Sequence, residues 1–251
     1  MLRSTNNVVR AKVTSTVNSQ VAAPEKLDYP QLLSLAVHEF RTPASVVGGY
    51  LRMVMKDADP PLSDRQRKMI EEAEKSCARI VALIDELSDI SKLDSGRITL
   101  VRQPLDLFRL VGDVAEHVQE GSDRGVHLQL RGEATGARLS GDEARLRTAF
   151  HAIFRTILRE KSGPTTVVAE RRLRVRDGVN SAVIVVADEA SVQAAYDGST
   201  GVFDEKRGGL GLALPLARRV IEGHGGELWA AADVSAAAAK GTAVISLPVT
   251  E

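Results

Sequence analysis

From Tyr29 onward, apolar side chains recur at helical spacing: Leu32, Leu35, Ala36, Val46, Val47, Tyr50, Leu51 and Val54. This period predicts a long amphipathic helix, interrupted at Pro43 and at the Gly48-Gly49 pair. Asp59-Pro60-Pro61 ends it, because proline lacks an amide donor and restricts the residue before it. Ser63 is placed to N-cap a second helix. In that helix Gln66, Ile70, Ala73, Cys77, Ile80, Ile84 and Leu87 step by four and three, with Arg65, Lys68, Glu72, Lys75, Arg79 and Glu86 on the other faces. A heptad seam of this kind predicts an antiparallel helical hairpin over residues 29–98. Two helices leave too much apolar stripe uncovered, so a second copy is expected to complete a dimeric four-helix bundle. The alternative is that the stripe packs on the chain's own second half.

The heptad stops after Leu93-Asp94-Ser95-Gly96, and Gln103-Pro104 marks a boundary. Beyond it helical patterns (about 106–119, 142–160 and 212–222) interleave with strand patterns (Val126–Leu130, Thr165–Val175, Ala182–Ala187, Glu227–Ala231 and Thr242–Val249). Such interleaving predicts an α/β sandwich over residues 105–251. Residues 1–28 show no period and read as a tail or linker, and Ala236–Ala239 as an exposed loop.

Composition narrows the function. The 33 basic and 33 acidic side chains cancel, which removes the basic field that nucleic-acid binding needs. With 5 Phe, 3 Tyr and 1 Trp, stacking on single-stranded bases has little to work with. The single cysteine, Cys77, excludes an internal disulfide framework and a multi-cysteine zinc site. No apolar run approaches the roughly 20 residues of a membrane span, and Met1–Gln20 lacks the apolar core of a signal peptide. A cytoplasmic chain is expected.

The chemistry concentrates in His38-Glu39-Phe40-Arg41-Thr42-Pro43, inside the first helix. Charged neighbours predict that His38 faces water, where a neutral imidazole offers a nucleophilic nitrogen. Glu39 stands beside it to accept or orient a proton, and Thr42, four residues on, shares its face. A nucleophile, a base and a hydroxyl on one exposed stretch suit group transfer through histidine. The bland alternative is a solvated helical histidine.

Leu35-Ala36-Val37-His38-Glu39-Phe40-Arg41-Thr42-Pro43 resembles the H-box of the two-component sensor histidine kinases, and Leu87–Gly96 resembles the end of that family's second helix. Gly209-Leu210-Gly211-Leu212-Ala213-Leu214-Pro215-Leu216-Ala217-Arg218-Arg219, followed by His224-Gly225-Gly226, resembles its G2 box and the helix after it. The resemblance spans about residues 29–250. It implies a hairpin for dimerisation and phosphotransfer joined to a histidine-kinase-type ATP-binding sandwich, and protein-histidine kinase activity using ATP and Mg2+. By the same resemblance His38 is the phosphoacceptor, Glu39 the assisting base, and Thr42 the residue orienting the water that dephosphorylates a response-regulator receiver domain, the expected partner.

The nucleotide motifs depart from the family's pattern. In the N-box-like helix Asp142–Ile157 the magnesium-binding asparagine position is Thr156 and a second frequent asparagine is Ala152. In the G1-like segment Asp188, which the resemblance assigns to the adenine amino group, is kept, but Ala190 and Val192 replace glycines. Gly209 and Gly211 remain in G2, while Ala213 takes the third glycine position. The leading reading is ATP-dependent phosphorylation of His38 with transfer to a receiver aspartate; the alternative is ATP-independent chemistry as a phosphotransfer relay or receiver phosphatase. A non-enzymatic docking role is the third.

The remaining histidines, His117, His127, His151 and His224, have no metal-ligand spacing and read as surface or packing residues. The basic run Glu170–Arg176 reads as a strand with charges outward and Leu173 and Val175 inward. Cys77 and Trp229 read as packing.

Overall fold

The computed structural model describes residues 29–176, 179–232 and 241–250. Residues 1–28 and the alanine stretch 236–239 lie outside them.

Helices α1 (Tyr29–Asp57) and α2 (Asp64–Asp94) form the antiparallel hairpin. Ser63 starts α2 with a reciprocal capping box: its Oγ accepts from the Gln66 amide at 3.4 Å, and its own amide donates to Gln66 Oε1 at 3.0 Å. Contrary to the expected interruptions, α1 runs unbroken through Pro43 and the Gly48-Gly49 pair. Gly48 is a packing position, since a Cβ there would stand 3.3 Å from Cys77 Sγ. Cys77 Sγ donates to the Ala44 carbonyl at 3.0 Å, and Ser91 Oγ to the Pro30 carbonyl at 3.1 Å. Small residues thus let the two backbones approach. Cys77 and Ile84 of the predicted seam are buried against α1, whereas Ala73 and Ile80 are exposed. The seam therefore serves two surfaces, one covered by α1 and one open.

The second unit contains a six-stranded sheet in the order β2-β4-β5-β8-β7-β6. Its strands are β2 (Val126–Gly132), β4 (Thr165–Arg176), β5 (Val179–Asp188), β6 (Thr200–Gly201), β7 (Glu227–Ala231) and β8 (Ala243–Pro248). β2 and β4 are parallel, and the other neighbours are antiparallel. Two short strands, β1 (Gln103–Asp106) and β3 (Arg138–Gly141), pair separately. Helices α3 (Leu107–Glu116), α4 (Glu143–Arg159) and α6 (Ala213–Gly223) share one core with one sheet face, including Phe108, Phe150, Ile153, Ile157, Ile184, Ile221 and Ile245. A short helix, α5 (Val192–Asp197), places Val192 and Ala195 on the opposite face, against Val168, Val183, Val185 and Val244.

The strand alternation across Glu170–Arg176 is correct in period but wrong in what it covers. Arg171 lies on the helix-facing side, buried, donating from Nη1 to the Phe108 carbonyl at 3.0 Å. Leu173 and Val175 share that side yet are 43% and 71% exposed, because β4 runs past the helices that cover its first half. Burial holds the Arg171 guanidinium below its ordinary range.

Candidate functional site

His38 stands on the exposed side of α1, with 79% of its side chain open to solvent. Its Nδ1 lies 3.2 Å from Glu39 Oε1, so the tautomer with a proton on Nδ1 donates to the carboxylate and leaves Nε2 as the free nucleophile. Thr42, one turn further, is also exposed. Arg41 donates to Asp85 Oδ1 of α2 at 2.6 Å and ties this turn to its neighbour helix. Val37, buried beside His38, anchors the turn from the inside. The local pattern that drives Val37 inward is what turns the imidazole outward.

At the far unit, Thr156, Asp188, Gly209 and Gly211 have different situations. Thr156 is fully buried in α4, and its hydroxyl donates to the Ala152 carbonyl at 2.8 Å. Gly208 packs over it: a Cβ there would come within 2.6 Å of Thr156 Cγ2. Glu160, one turn on, is held by Arg207, with Nε 3.1 Å from the carboxylate. Asp188 ends β5, and the Lys161 ammonium lies 2.7 Å from its carboxylate. The segment after it is not a glycine turn. Residues Glu189–Ser191 make a 3-10 turn that leads into α5, and Val192 adopts right-handed helical angles (φ −56°, ψ −50°). Ala190 and Val192 thus lie in regular helical turns and not in a glycine loop. Gly209 and Gly211 keep positive φ (60° and 70°), which favours glycine.

The glycine loop rests on the hairpin. A Cβ on Gly211 would stand 2.5 Å from Arg79 Nη2 and 2.6 Å from Leu83 Cδ2 of α2. The Leu212 amide, at the start of α6, donates to Glu86 Oε2 at 3.1 Å. Arg219 Nε donates to Asp94 at 2.7 Å, and Arg145 Nη1 to Asp89 at 3.3 Å. Beneath these pairs a cleft of about 870 Å³ runs between α2, α4 and α6.

Sequence reasoning missed the partners Lys161, Glu86 and Arg207, and gave His224 only a packing role. His224 is buried, with Nδ1 2.6 Å from the Val220 carbonyl and Nε2 2.9 Å from the Asp142 amide. One bond needs a ring donor and the other a ring acceptor, so the ring is neutral with its proton on Nδ1. Burial lowers its pKa from the ordinary 6.5, outweighing the Val220 hydrogen bond. Asp142 in turn caps α4 and accepts from the Val101 amide at 3.1 Å, fastening the segment after α2. Apart from the His224–Val220 bond and the Asp142 cap, each within one helical turn, these contacts lie 27 to 126 residues apart in sequence, beyond any local pattern.

Residues 31–96 match the His Kinase A (phospho-acceptor) domain family. The circadian input-output histidine kinase CikA of Synechococcus elongatus is 26% identical over 212 residues, covering 79% of this chain and 27% of that protein. The signal transduction histidine-protein kinase BarA of Escherichia coli is 24% identical over 212 residues, covering 79% of this chain and 22% of BarA. Residues 31–96 therefore carry a His Kinase A (phospho-acceptor) domain, and the chain as a whole is similar to two-component sensor histidine kinases. It spans about a quarter of the length of those relatives. In fold it is similar to full-length ShkA crystallised with AMPPNP (TM-score 0.63, 20% identity, 88% of this chain and 45% of that one). It is also similar to the Acinetobacter baumannii histidine kinase AdeS (TM-score 0.52, 16% identity, 85% and 97%). The hairpin followed by a mixed α/β unit is the fold shared with these solved histidine kinases. Among the described residues no helix is long and apolar enough to cross a membrane.

Proposed function

We propose that this chain carries a phosphoryl group on His38 within a two-component pathway and exchanges it with an aspartate of a receiver domain. The exposed imidazole, with Nδ1 against Glu39 and Nε2 free, is the observation that carries this reading. In the forward step Nε2 attacks the phosphorus of an aspartyl phosphate. The N–P bond forms, the P–O bond to the aspartate breaks, and the carboxylate leaves. Glu39 takes the Nδ1 proton as positive charge develops on the ring. Thr42, on the same exposed side, is the candidate for orienting a water in a separate, hydrolytic use of the site, in which water attacks the receiver's aspartyl phosphate and inorganic phosphate leaves. The exposed apolar residues of the hairpin support a homodimer.

The source of the phosphoryl group follows from the second unit. ATP supplies a phosphoryl group when bound with Mg2+, and transfer from it depends on positioning and charge neutralisation. The residues present fit that complex only in part. Thr156 is fully buried with its hydroxyl donating to Ala152, and Glu160 is held by Arg207. Asp188, by contrast, keeps an Oδ1 without a hydrogen-bond partner beside its Lys161 contact. The relay reading, in which a receiver domain supplies the phosphoryl group, therefore stands first. Retention of Asp188 and of positive φ at Gly209 and Gly211 favours the ATP-driven reading as second.

Two parallel reactions separate them: the full chain with labelled ATP and Mg2+, and the full chain with a labelled phosphorylated receiver domain. The relay reading expects acid-labile, base-stable label from the receiver and none from ATP. Label from ATP supports the second reading, and label from neither overturns both.

A further inference from the structure

The sheet face opposite α3, α4 and α6 is covered by α5 over only part of its area. Val192 and Ala195 of α5 sit on Val168, Val183, Val185 and Val244, with Tyr196 and Trp229 packed beside them. At the margin of this cover the strand pairing sets one row across the sheet: Arg172 opposite Val183, Val183 opposite Ser246, and Ser246 opposite Glu227. The next row runs Arg174, Ser181, Pro248. Over these rows lies a cavity of about 410 Å³, bordered by Arg174, Ser181, Val183, Glu227, Trp229 and Ser246. Its wall at β7 is fixed by Gly226, where a Cβ would stand 2.4 Å from the Ser246 carbonyl oxygen, so the turn before β7 lies directly on β8.

The two ends of this trough carry opposite charge. At β4 the guanidinium carbons of Arg172 and Arg174 lie 4.4 Å and 5.5 Å from the centroid of the Tyr196 ring, so one ring holds both cations in place. Arg172 is neutralised by Glu170 and donates to Gln193 at 2.9 Å. Arg174 is half-buried and meets no carboxylate among the described residues. A cation withdrawn from water without a counter-charge is costly, and a bound anion removes that cost. At the other end Glu227 is exposed and pairs with no cation among the described residues. Ser181 and Ser246, half-buried between the two ends, bring hydroxyls that can donate or accept. The Trp229 ring adds an apolar side.

The floor thus runs cation, hydroxyls, anion, and the ligand that matches it runs carboxylate to ammonium. β4 and β7 are three strand spacings apart, about 14 Å in all. Arginine and glutamate side chains bordering the cavity from its two ends shorten that span to roughly the 10 Å of three extended residues. A single amino acid is too short to touch both charges. We propose that this trough binds free peptides of about three residues, with the ligand carboxylate on Arg174, its ammonium on Glu227 and its middle residue against Trp229. None of these three residues takes part in the chemistry proposed for His38, so the two readings stand or fall separately.

Trp229 is the only tryptophan in the chain, so its fluorescence reports the trough directly. The full chain is titrated, up to about 10 mM, with unblocked trialanine, with trialanine acetylated at one end and amidated at the other, and with free alanine. A saturable change in Trp229 emission is expected with unblocked trialanine and with neither of the others. Arg174→Gln and Glu227→Gln are each expected to raise the Kd about tenfold or more, the weight of one charge-assisted hydrogen bond. Glu116→Gln, an exposed change on α3, should leave the Kd unchanged. The blocked peptide removes the same two charges from the ligand side, which keeps the test independent of how the variants fold. Absence of a saturable change with unblocked trialanine overturns the proposal. Binding of the blocked peptide or of free alanine as tightly as the unblocked tripeptide overturns it too, as does a Kd unaltered in Arg174→Gln and Glu227→Gln.

Discussion

His38 and His224 show how one side-chain type takes opposite roles through burial. His38 projects into water with one nitrogen engaged by Glu39 and the other free, and the carboxylate decides which nitrogen is the nucleophile. Replacing Glu39 by Gln removes the base but keeps a hydrogen-bonding group. Phosphotransfer to His38 should fall by about a hundredfold or more, the usual weight of a positioned base, as measured by single-turnover label transfer. His224 is held neutral between Val220 and Asp142. Its pKa is lowered in the folded state, so as the pH falls through 6.5 the unfolded chain takes up a proton that the folded chain refuses. Stability should therefore decline from pH 7.5 to 5.5, read as a falling denaturant midpoint. His151, also lowered, by burial and by Arg155, adds to the decline. The variant His224→Gln should show a shallower slope. At this scale the sequence made His38, Glu39 and Asp188 legible because each sits in a contiguous motif. Lys161 was not legible, because its meaning comes from Asp188, 27 residues away.

Among the elements, the long ones announced themselves. The Pro-Pro break, the Ser63 cap and the heptad period predicted α1 and α2, and the larger helices and strands of the second unit fell near their expected bounds. The short ones did not: β1 and β3 have four residues each and α5 has six, too few for a period to register. The segment after Asp188 could be seen to lack glycines, but its folding into α5 depends on an apolar sheet face that awaits Val192 and Ala195. Gly211 illustrates the opposite case, a glycine legible as a motif whose physical reason lies in another element. With φ at 70° and α2 side chains 2.5 Å and 2.6 Å from a Cβ, Gly211→Ala is strained in backbone and in space. It should lower stability by about 1–3 kcal/mol, seen as a reduced thermal midpoint.

For the whole molecule, the hairpin leaves Phe40, Val47, Tyr50, Val54 and Ile80 exposed, and an apolar groove lined by Phe40, Val47, Leu51, Ile80 and Ile84 runs between α1 and α2. A single chain does not cover this stripe, although the α/β unit covers the C-terminal part of α2. The α/β unit thus takes one part of the helix, and the exposed stripe is the part that the proposed second copy would cover. Exposed apolar surface on this scale marks an association face. Sedimentation should show a dimer, and Val47→Glu should shift it to monomer while leaving the helical circular dichroism intact. A monomer at all concentrations of wild type contradicts the four-helix bundle.

Everything proposed for the hairpin rests on the His38 imidazole carrying the phosphoryl group. Its most direct measurement is mass-spectrometric mapping at neutral pH after reaction with a phosphorylated receiver domain, run on wild type and on His38→Ala. One added phosphoryl group is expected on the peptide containing His38 in wild type and none in the variant. A phosphoryl group found elsewhere, persisting in His38→Ala, or absent from the wild type with both receiver and ATP as donors, contradicts it.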